Sequence, residues 1–327
     1  MATTFTATPW GADHALAGFE ARRLEFPPDS EGPVIATLVR RRAATPAGRA
    51  VLYIHGFVDY FFQTHLAEAF NAHGYHFYAL DLRKCGRSLL PGQTPNFCTD
   101  LPEYYAELDA AIALIFNEED HPWFLLNGHS TGGLIAALYA HEGRWRERIK
   151  ALFLNSPFFA FHLPWHRVGP ARLFAGLGRW YPRLAANGSV SPFYAHSLHR
   201  NYRGEWQFNL AWKPLEGFPA YAGWMRAVMR GQHRLQAGLA IPCPVLIMHS
   251  TRSVLLPRWD ERLLRADAVL NVAHMRRYGP GLGPRVTLLA IEGGLHDLTL
   301  SAAPVRARVF AELFTWLEWA AAQNQGR

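Results

Sequence analysis

The apolar and polar positions of this chain follow two different periods. Residues 19–26 (FEARRLEF) and 32–42 (GPVIATLVRRR) tend to alternate, which predicts two antiparallel strands; 49–56 (RAVLYIHG) is apolar at consecutive positions and predicts a strand buried on both faces. From Phe57 the period switches back and forth: a helix over 60–73, a strand at 75–82 (YHFYALDL), a helix over 101–117, a strand at 122–128 (PWFLLNG), a helix over 131–141 and a strand at 150–156 (KALFLNS). Strands joined by helices of these lengths make right-handed crossovers. The expected fold class is therefore α/β, with a mostly parallel central sheet covered by helices on both faces. The first 20 or so residues carry no pattern.

The alternation stops between Phe159 and Cys243, in a stretch rich in Trp, Tyr, Pro, Gly and Arg, and resumes with 244–250 (PVLIMHS), 285–293 (RVTLLAIEG) and an amphipathic helix over 305–322. Sheet strands on either side of an interruption mark an insertion. The expected organisation is a core of residues 1–158 and 244–327 carrying an inserted helical cap at 159–243.

Candidate chemistry enters where the strand PWFLLNG runs directly into Gly128-His129-Ser130-Thr131-Gly132-Gly133 and then the helical LIAALYA. A turn this sharp strains its central residue and needs glycines where strand and helix approach, so Ser130 is expected at the tip of a nucleophile elbow. The Thr131 N–H, at the start of the helix, would face an oxyanion formed beside Ser130. A second donor is expected from the loop after the strand RAVLYIHG, where Gly56 allows a tight turn that brings the Phe57 N–H toward Ser130; His55 reads as structural. A serine hydroxyl needs a base, and His296, just after the strand RVTLLAIEG, fits the chain order Ser, acid, His. The acid is harder to find. The positions following PVLIMHS are Thr251, Arg252 and Ser253, none of them a carboxylate. Spacing favours Asp267, which leaves room for one helix and one strand before His296. Asp260, among Arg258, Glu261 and Arg262, is the alternative, and its charge pattern reads as a solvated face.

These residues resemble the α/β-hydrolase superfamily, in particular its monoacylglycerol lipase, lysophospholipase and serine aminopeptidase-like branch. The resemblance rests on YIHGF at 53–57, HLAEAF with HGY at 65–75, ALDLRKCGRS at 79–88, GHSTGG at 128–133, LNSP at 154–157 and GGLHD at 293–297. It implies the α/β-hydrolase fold, Ser130 as nucleophile, His296 as base, and Phe57 and Thr131 as oxyanion donors. Two departures stand out. Where the family has an aspartate, this chain has Ser253, while DAVLN at 267–271 resembles the acid-bearing stretch displaced by an insertion at 251–266. The family's Gly-His in D-x-R-G-H-G-x-S is Lys84-Cys85 here.

Composition adds constraints. With 50% hydrophobic and 18% charged residues the chain can bury a large core. Its formal net charge is +7, and the inserted stretch alone carries nine Arg and Lys213 against Glu205 and Glu216, so the remainder is close to neutral. That basic cap, with Trp165, Trp180, Trp206, Trp212 and Trp224, suits an apolar acyl pocket and a peripheral contact with an anionic membrane surface; nucleic acid is not expected, because no binding motif accompanies the charge. Cys85, Cys98 and Cys243 form neither a CxxC pair nor a metal-ligand spacing. No secretory signal is read in MATTFTATPW and no span in the sequence, so a cytoplasmic location is expected. The implied reaction is hydrolysis of a small-molecule or lipid carboxylic ester through an acyl-enzyme, with no cofactor and no metal. An aminopeptidase would need an acidic site for a free amine, for which the cap supplies Glu205 and Glu216. A silent ligand-binding protein on the same fold is the remaining alternative.

Overall fold

A computed structural model describes residues 4–118, 121–186, 192–256 and 258–325. The strands are β1 (Thr6–Ala7), β2 (Gly11–Ala12), β3 (Glu20–Asp29), β4 (Gly32–Arg41), β5 (Arg49–Ile54), β6 (Tyr75–Asp81), β7 (Trp123–His129), β8 (Ala151–Asn155), β9 (Ala185–Ala186), β10 (Ala220–Tyr221), β11 (Val245–Ser250) and β12 (Val286–Ile291). The helices are α1 (Thr64–Ala72), α2 (Tyr105–Glu118), α3 (Thr131–Glu142), α4 (Trp165–Leu177), α5 (Pro192–Leu198), α6 (Ala222–Gln236), α7 (Val272–Tyr278) and α8 (Ala303–Gln325).

The large sheet runs β1-β3-β4-β6-β5-β7-β8-β11-β12, with β2 also paired to β3. From β6 to β12 every pairing is parallel, while β3 and β4 add an antiparallel edge. This is the expected mostly parallel sheet. β6, β7 and β8 are buried at every position, because helices cover both faces. Alternate residues of each strand serve opposite layers, as the two-residue period of a strand requires. Leu52, Leu126, Leu152 and Ile247 pack with α2, α3 and α6, whereas Val51, Leu125, Phe153 and Leu246 pack with α1 and α8. A third apolar cluster, including Tyr60, Tyr194, Phe208 and Leu295, lies outside both layers.

Two local differences from the pattern have physical causes. The first helix begins at Thr64 rather than residue 60, because side chains satisfy the preceding backbone: Phe61 N–H donates to Asp81 Oδ1 and Phe62 N–H to Gln63 Oε1. The unpatterned N-terminal stretch holds β1 and β2, each two residues long and too short to show a period, which extend the antiparallel edge through β3. Between β8 and β11, the described residues add no strand to the large sheet; β9 and β10 pair only with each other. The last helix of that stretch, α6, returns to the core, where Trp224, Ala227, Val228 and Leu235 pack.

Glycines set how closely the central elements meet. A Cβ on Gly132, in the first turn of α3, would overlap the carbonyls of Ile54 and His55 at the end of β5, and one on Gly128 would overlap Gly132 and Gly133. Gly132→Ala is therefore expected to lower unfolding free energy by about 1–3 kcal/mol in urea melts; an unchanged midpoint would show that β5 and α3 are not in this contact.

Candidate active site

Ser130 is the one-residue hinge between β7 and α3, with φ 53° and ψ −118°, in the region that L-residues rarely adopt. Three of its neighbours hold it there. Its N–H donates to Asn155 O at 3.0 Å, and its carbonyl accepts from Gly133 and Phe158 N–H, both at 3.0 Å. The side chain is left facing a cavity of about 800 Å³ lined in part by Phe57, Thr131, Phe158, Phe161, Trp224 and His296.

His296 follows β12 and brings Nε2 to 3.0 Å from Ser130 Oγ, with Nδ1 3.0 Å from Asp267 Oδ2. With a buried carboxylate accepting from Nδ1–H, Nε2 is left as the acceptor for the serine hydroxyl. Asp267 is fully buried, and its other oxygen accepts from Val269 N–H at 2.9 Å and Leu270 N–H at 2.7 Å, so neither carboxylate oxygen lacks a partner.

How the acid reaches this place follows from the backbone. After β11 the chain passes Ser253, makes an excursion, and returns so that Asp267 forms a parallel bridge with Ser253. Asp267 N–H donates to Arg252 O at 3.0 Å, and Asp267 O accepts from Val254 N–H at 2.8 Å. The carboxylate thus stands beside position 253, one strand-width over, as the displaced DAVLN stretch suggests. Asp260 is elsewhere: it caps the 3-10 turn Glu261–Arg265 and pairs with Arg262, which holds its carboxyl down at about 2.

The two backbone positions expected as donors both lie beside Ser130. Thr131 is the first residue of α3, so its N–H has no partner within the helix. Gly56 packs so closely that a Cβ there would lie 3.0 Å from Ser130 Cβ, which brings the Gly56–Phe57 peptide next to the hydroxyl.

Several residues at the site carry no local sequence signal. Asp297, the neighbour of the histidine, is buried and accepts from Asn155 Nδ2 at 2.7 Å, Thr299 Oγ1 at 2.7 Å and Gln63 Nε2 at 3.1 Å. These bonds tie the histidine loop to the ends of β8 and to the start of α1. Burial pushes its carboxyl up, but the adjacent His129 ring and those hydrogen bonds more than offset this, and its pKa lies below the ordinary 3.8. Tyr194, from α5, accepts from Asp297 N–H at 3.0 Å and sets its ring edge-on to His296. Only the adjacency of Asp297 to His296 in GGLHD could have pointed to any of these. The three cysteines are free and buried, and burial pushes Cys98 and Cys243 up to about 12 and Cys85 well above its ordinary value, so none offers a thiolate.

The family description "Serine aminopeptidase, S33" matches residues 45–299, more than three quarters of the sequence. The chain belongs to that family of α/β-hydrolases. A monoacylglycerol lipase of Mycolicibacterium smegmatis is 28% identical over 245 residues, spanning 72% of this chain and 81% of its relative. Among solved structures, a soluble variant of monoglyceride lipase from Saccharomyces cerevisiae, in complex with a substrate analogue, superposes with a TM-score of 0.66 at 18% identity, covering 90% of this chain and 95% of the other. Monoacylglycerol lipase of Paleococcus ferrophilus gives 0.62 at 22% identity, covering 86% and 99%. The fold of this α/β-hydrolase is therefore shared with carboxylic ester hydrolases.

The Asp297 network makes a pH-dependent contribution. A carboxyl whose folded pKa is depressed stabilises the protein above its unfolded value and loses that contribution as pH falls through the folded one. Asp297→Asn is expected to cost about 2 kcal/mol at neutral pH, with the gap to the parent protein narrowing as pH drops below the ordinary aspartate value of 3.8. Chemical denaturation at both ends of that range tests it; a gap that widens in acid would contradict the assigned charge.

Proposed function

We propose that this α/β-hydrolase cleaves carboxylic esters of the acylglycerol or lysophospholipid type. Ser130 is the nucleophile, His296 the general base and acid, Asp267 the carboxylate that orients it, and the backbone N–H groups of Phe57 and Thr131 the oxyanion donors. The observation that carries this reading is the unbroken chain Asp267–His296–Ser130, each link 3.0 Å, opening on a largely apolar cavity.

Ser130 Oγ attacks the ester carbonyl while His296 Nε2 takes its proton, and the carbonyl oxygen becomes an oxyanion between the two N–H donors. His296 returns the proton to the departing alcohol as the C–O bond breaks. Water, deprotonated by the same nitrogen, then attacks the acyl-Ser130 ester, releasing a carboxylic acid and restoring the serine. Asp267 stays ionised and stabilises the imidazolium formed in each half.

An acyl chain suits the cavity because Phe57, Phe158, Phe161, Leu215, Trp224 and Leu270 line it. Neither Glu205, which pairs with Arg306, nor Glu216, which is exposed, is among its lining residues, so nothing from the cap offers a carboxylate to a substrate amine. We take residues 159–243 as the cap over this cavity. Its outer surface exposes Trp165, Leu173, Trp180 and Tyr181 close in sequence to Arg167, Arg172 and Arg179, an arrangement that fits peripheral contact with an anionic lipid surface. No helix among the described residues is long and apolar enough to cross a membrane. Three buried free thiols fit a reducing, cytoplasmic setting.

Ser130→Ala is expected to lose fluorophosphonate labelling and to lower kcat on p-nitrophenyl esters by about 10⁴-fold or more; equal labelling of parent and variant overturns the nucleophile. Asp267→Asn should lower kcat by about 10³- to 10⁴-fold while Asp260→Asn leaves it within about twofold, and the reverse order would move the acid to Asp260. Flotation with vesicles tests the surface: binding to anionic but not zwitterionic vesicles, weakened by Trp165→Ala with Trp180→Ala, is expected, and no difference between the two vesicle types would remove the membrane contact.

A further inference from the structure

Three non-glycine residues with left-handed backbone lie within one hydrogen-bonded cluster beside the oxyanion loop: Val58 (φ 52°), Lys84 (φ 60°) and Asn96 (φ 57°). A β-branched residue at positive φ is a genuine outlier and persists only where its surroundings impose it. For Val58 the imposing group is identifiable. Its N–H donates to Asn96 Oδ1 at 2.8 Å, from a residue 38 positions away, and all three residues are buried. Asn96 is itself anchored, its N–H donating to Lys84 O at 2.9 Å. Lys84 Nζ in turn pairs with Asp29 Oδ2 and Glu31 Oε2, both at 2.7 Å.

The other side of the same loop is held as well. Leu82 N–H donates to His55 Nε2 at 3.1 Å, and since a backbone N–H can only donate, His55 carries its proton on Nδ1, which donates to Gly56 O at 2.8 Å. In a trans peptide the carbonyl and the following N–H point in opposite directions. Fixing Gly56 O toward His55 therefore turns the Phe57 N–H away from it, and fixing the Val58 N–H on Asn96 locks the next peptide plane. Leu82, which holds His55, and Asn96 both come from the segment after β6, residues 82–96, where this chain has Lys84-Cys85 in place of its family's Gly-His.

We propose that Asn96 is a positioning residue for the oxyanion hole: by accepting the Val58 N–H it holds the left-handed turn that keeps the Phe57 N–H aimed at the oxyanion. The proposal rests on the ester-hydrolase reading given above. Asn96 touches no reacting atom and acts through two successive peptide planes. An oxyanion donor acts on the transition state more than on the bound ester, so its misalignment falls on kcat rather than KM.

Two substitutions separate the acceptor from the backbone conformation. Asn96→Gly accepts φ 57° without strain but removes the carboxamide, whereas Asn96→Asp keeps an acceptor on a residue type that tolerates the left-handed region. Steady-state kinetics on a p-nitrophenyl ester, together with inhibition by a trifluoromethyl ketone, whose Ser130 adduct carries an oxyanion, provide the readout. Expected for Asn96→Gly is a kcat lower by about 10- to 100-fold, KM within about twofold and ketone affinity weakened in parallel with kcat. Asn96→Asp is expected to stay within about threefold of the parent. Should the glycine variant not accumulate as folded protein, Asn96→Ala serves as the second variant lacking the acceptor. Unchanged kcat and ketone affinity in a folded acceptor-less variant, or equal losses in the aspartate variant, overturn the role of Asn96 while leaving the ester-hydrolase reading intact. A parent protein that neither turns over esters nor binds the ketone overturns both.

Discussion

The close approach of β5, β7 and α3 at three glycines is the constraint on which the rest of the structure depends. Gly128, Gly132 and Gly133 sit where a Cβ would run into neighbouring backbone or Pro157, so the strand can turn into the helix within a single residue. That residue is Ser130, and the turn forces it to φ 53°. The strain is held by two hydrogen bonds from the end of the neighbouring β8: Asn155, its last residue, accepts the Ser130 N–H, and Phe158 just beyond donates to the Ser130 carbonyl. Local strain of this kind is stable only because the sheet around it is buried on both faces and cannot relax.

From that fixed point the proposed site is assembled by bringing separate strand ends to one place. β7 delivers the serine, β12 the histidine, the excursion after β11 the carboxylate, and the loop after β5 one oxyanion donor. Each arrival is secured by a polar network rather than by packing alone. Asp267 spends one oxygen on two backbone N–H groups and one on His296. Asp297 ties the histidine loop to Asn155 and Gln63, and Tyr194 reaches Asp297 N–H from α5. Buried polar groups with complete partners specify one arrangement strongly, which fits a mechanism that needs Oγ, Nε2 and the oxyanion donors in register.

Much of the core could be read from the sequence, because strands buried on both faces leave short continuous apolar runs, spaced by segments long enough for helices. Ser130 could be proposed because it follows directly on such a strand, and His296 because it comes just after the last strand of the sheet, β12, whose half-exposed edge still carries an apolar run. Asp267 was harder. Its place depends on a loop that leaves at Ser253 and returns to pair with it, and such pairing across an excursion has no local signature, so spacing and the resemblance of DAVLN had to carry it. The contacts of Asp297, Tyr194 and Asn96 around the proposed site were invisible in the sequence because their partners lie tens of residues away and are chosen by the tertiary fold. The short edge strands β1 and β2 escaped because two residues cannot show a period, and the helix start at Thr64 escaped because side-chain acceptors replace the first turn.

The proposed ester cleavage stands or falls on a covalent intermediate on Ser130. Rapid acid quench of the parent protein during turnover of a slowly deacylated p-nitrophenyl ester, followed by intact-mass and peptide mass spectrometry, tests it most directly. A mass increase equal to the acyl group, confined to the peptide that contains Ser130, is expected. Turnover with no adduct, or with an adduct on another residue, would contradict it.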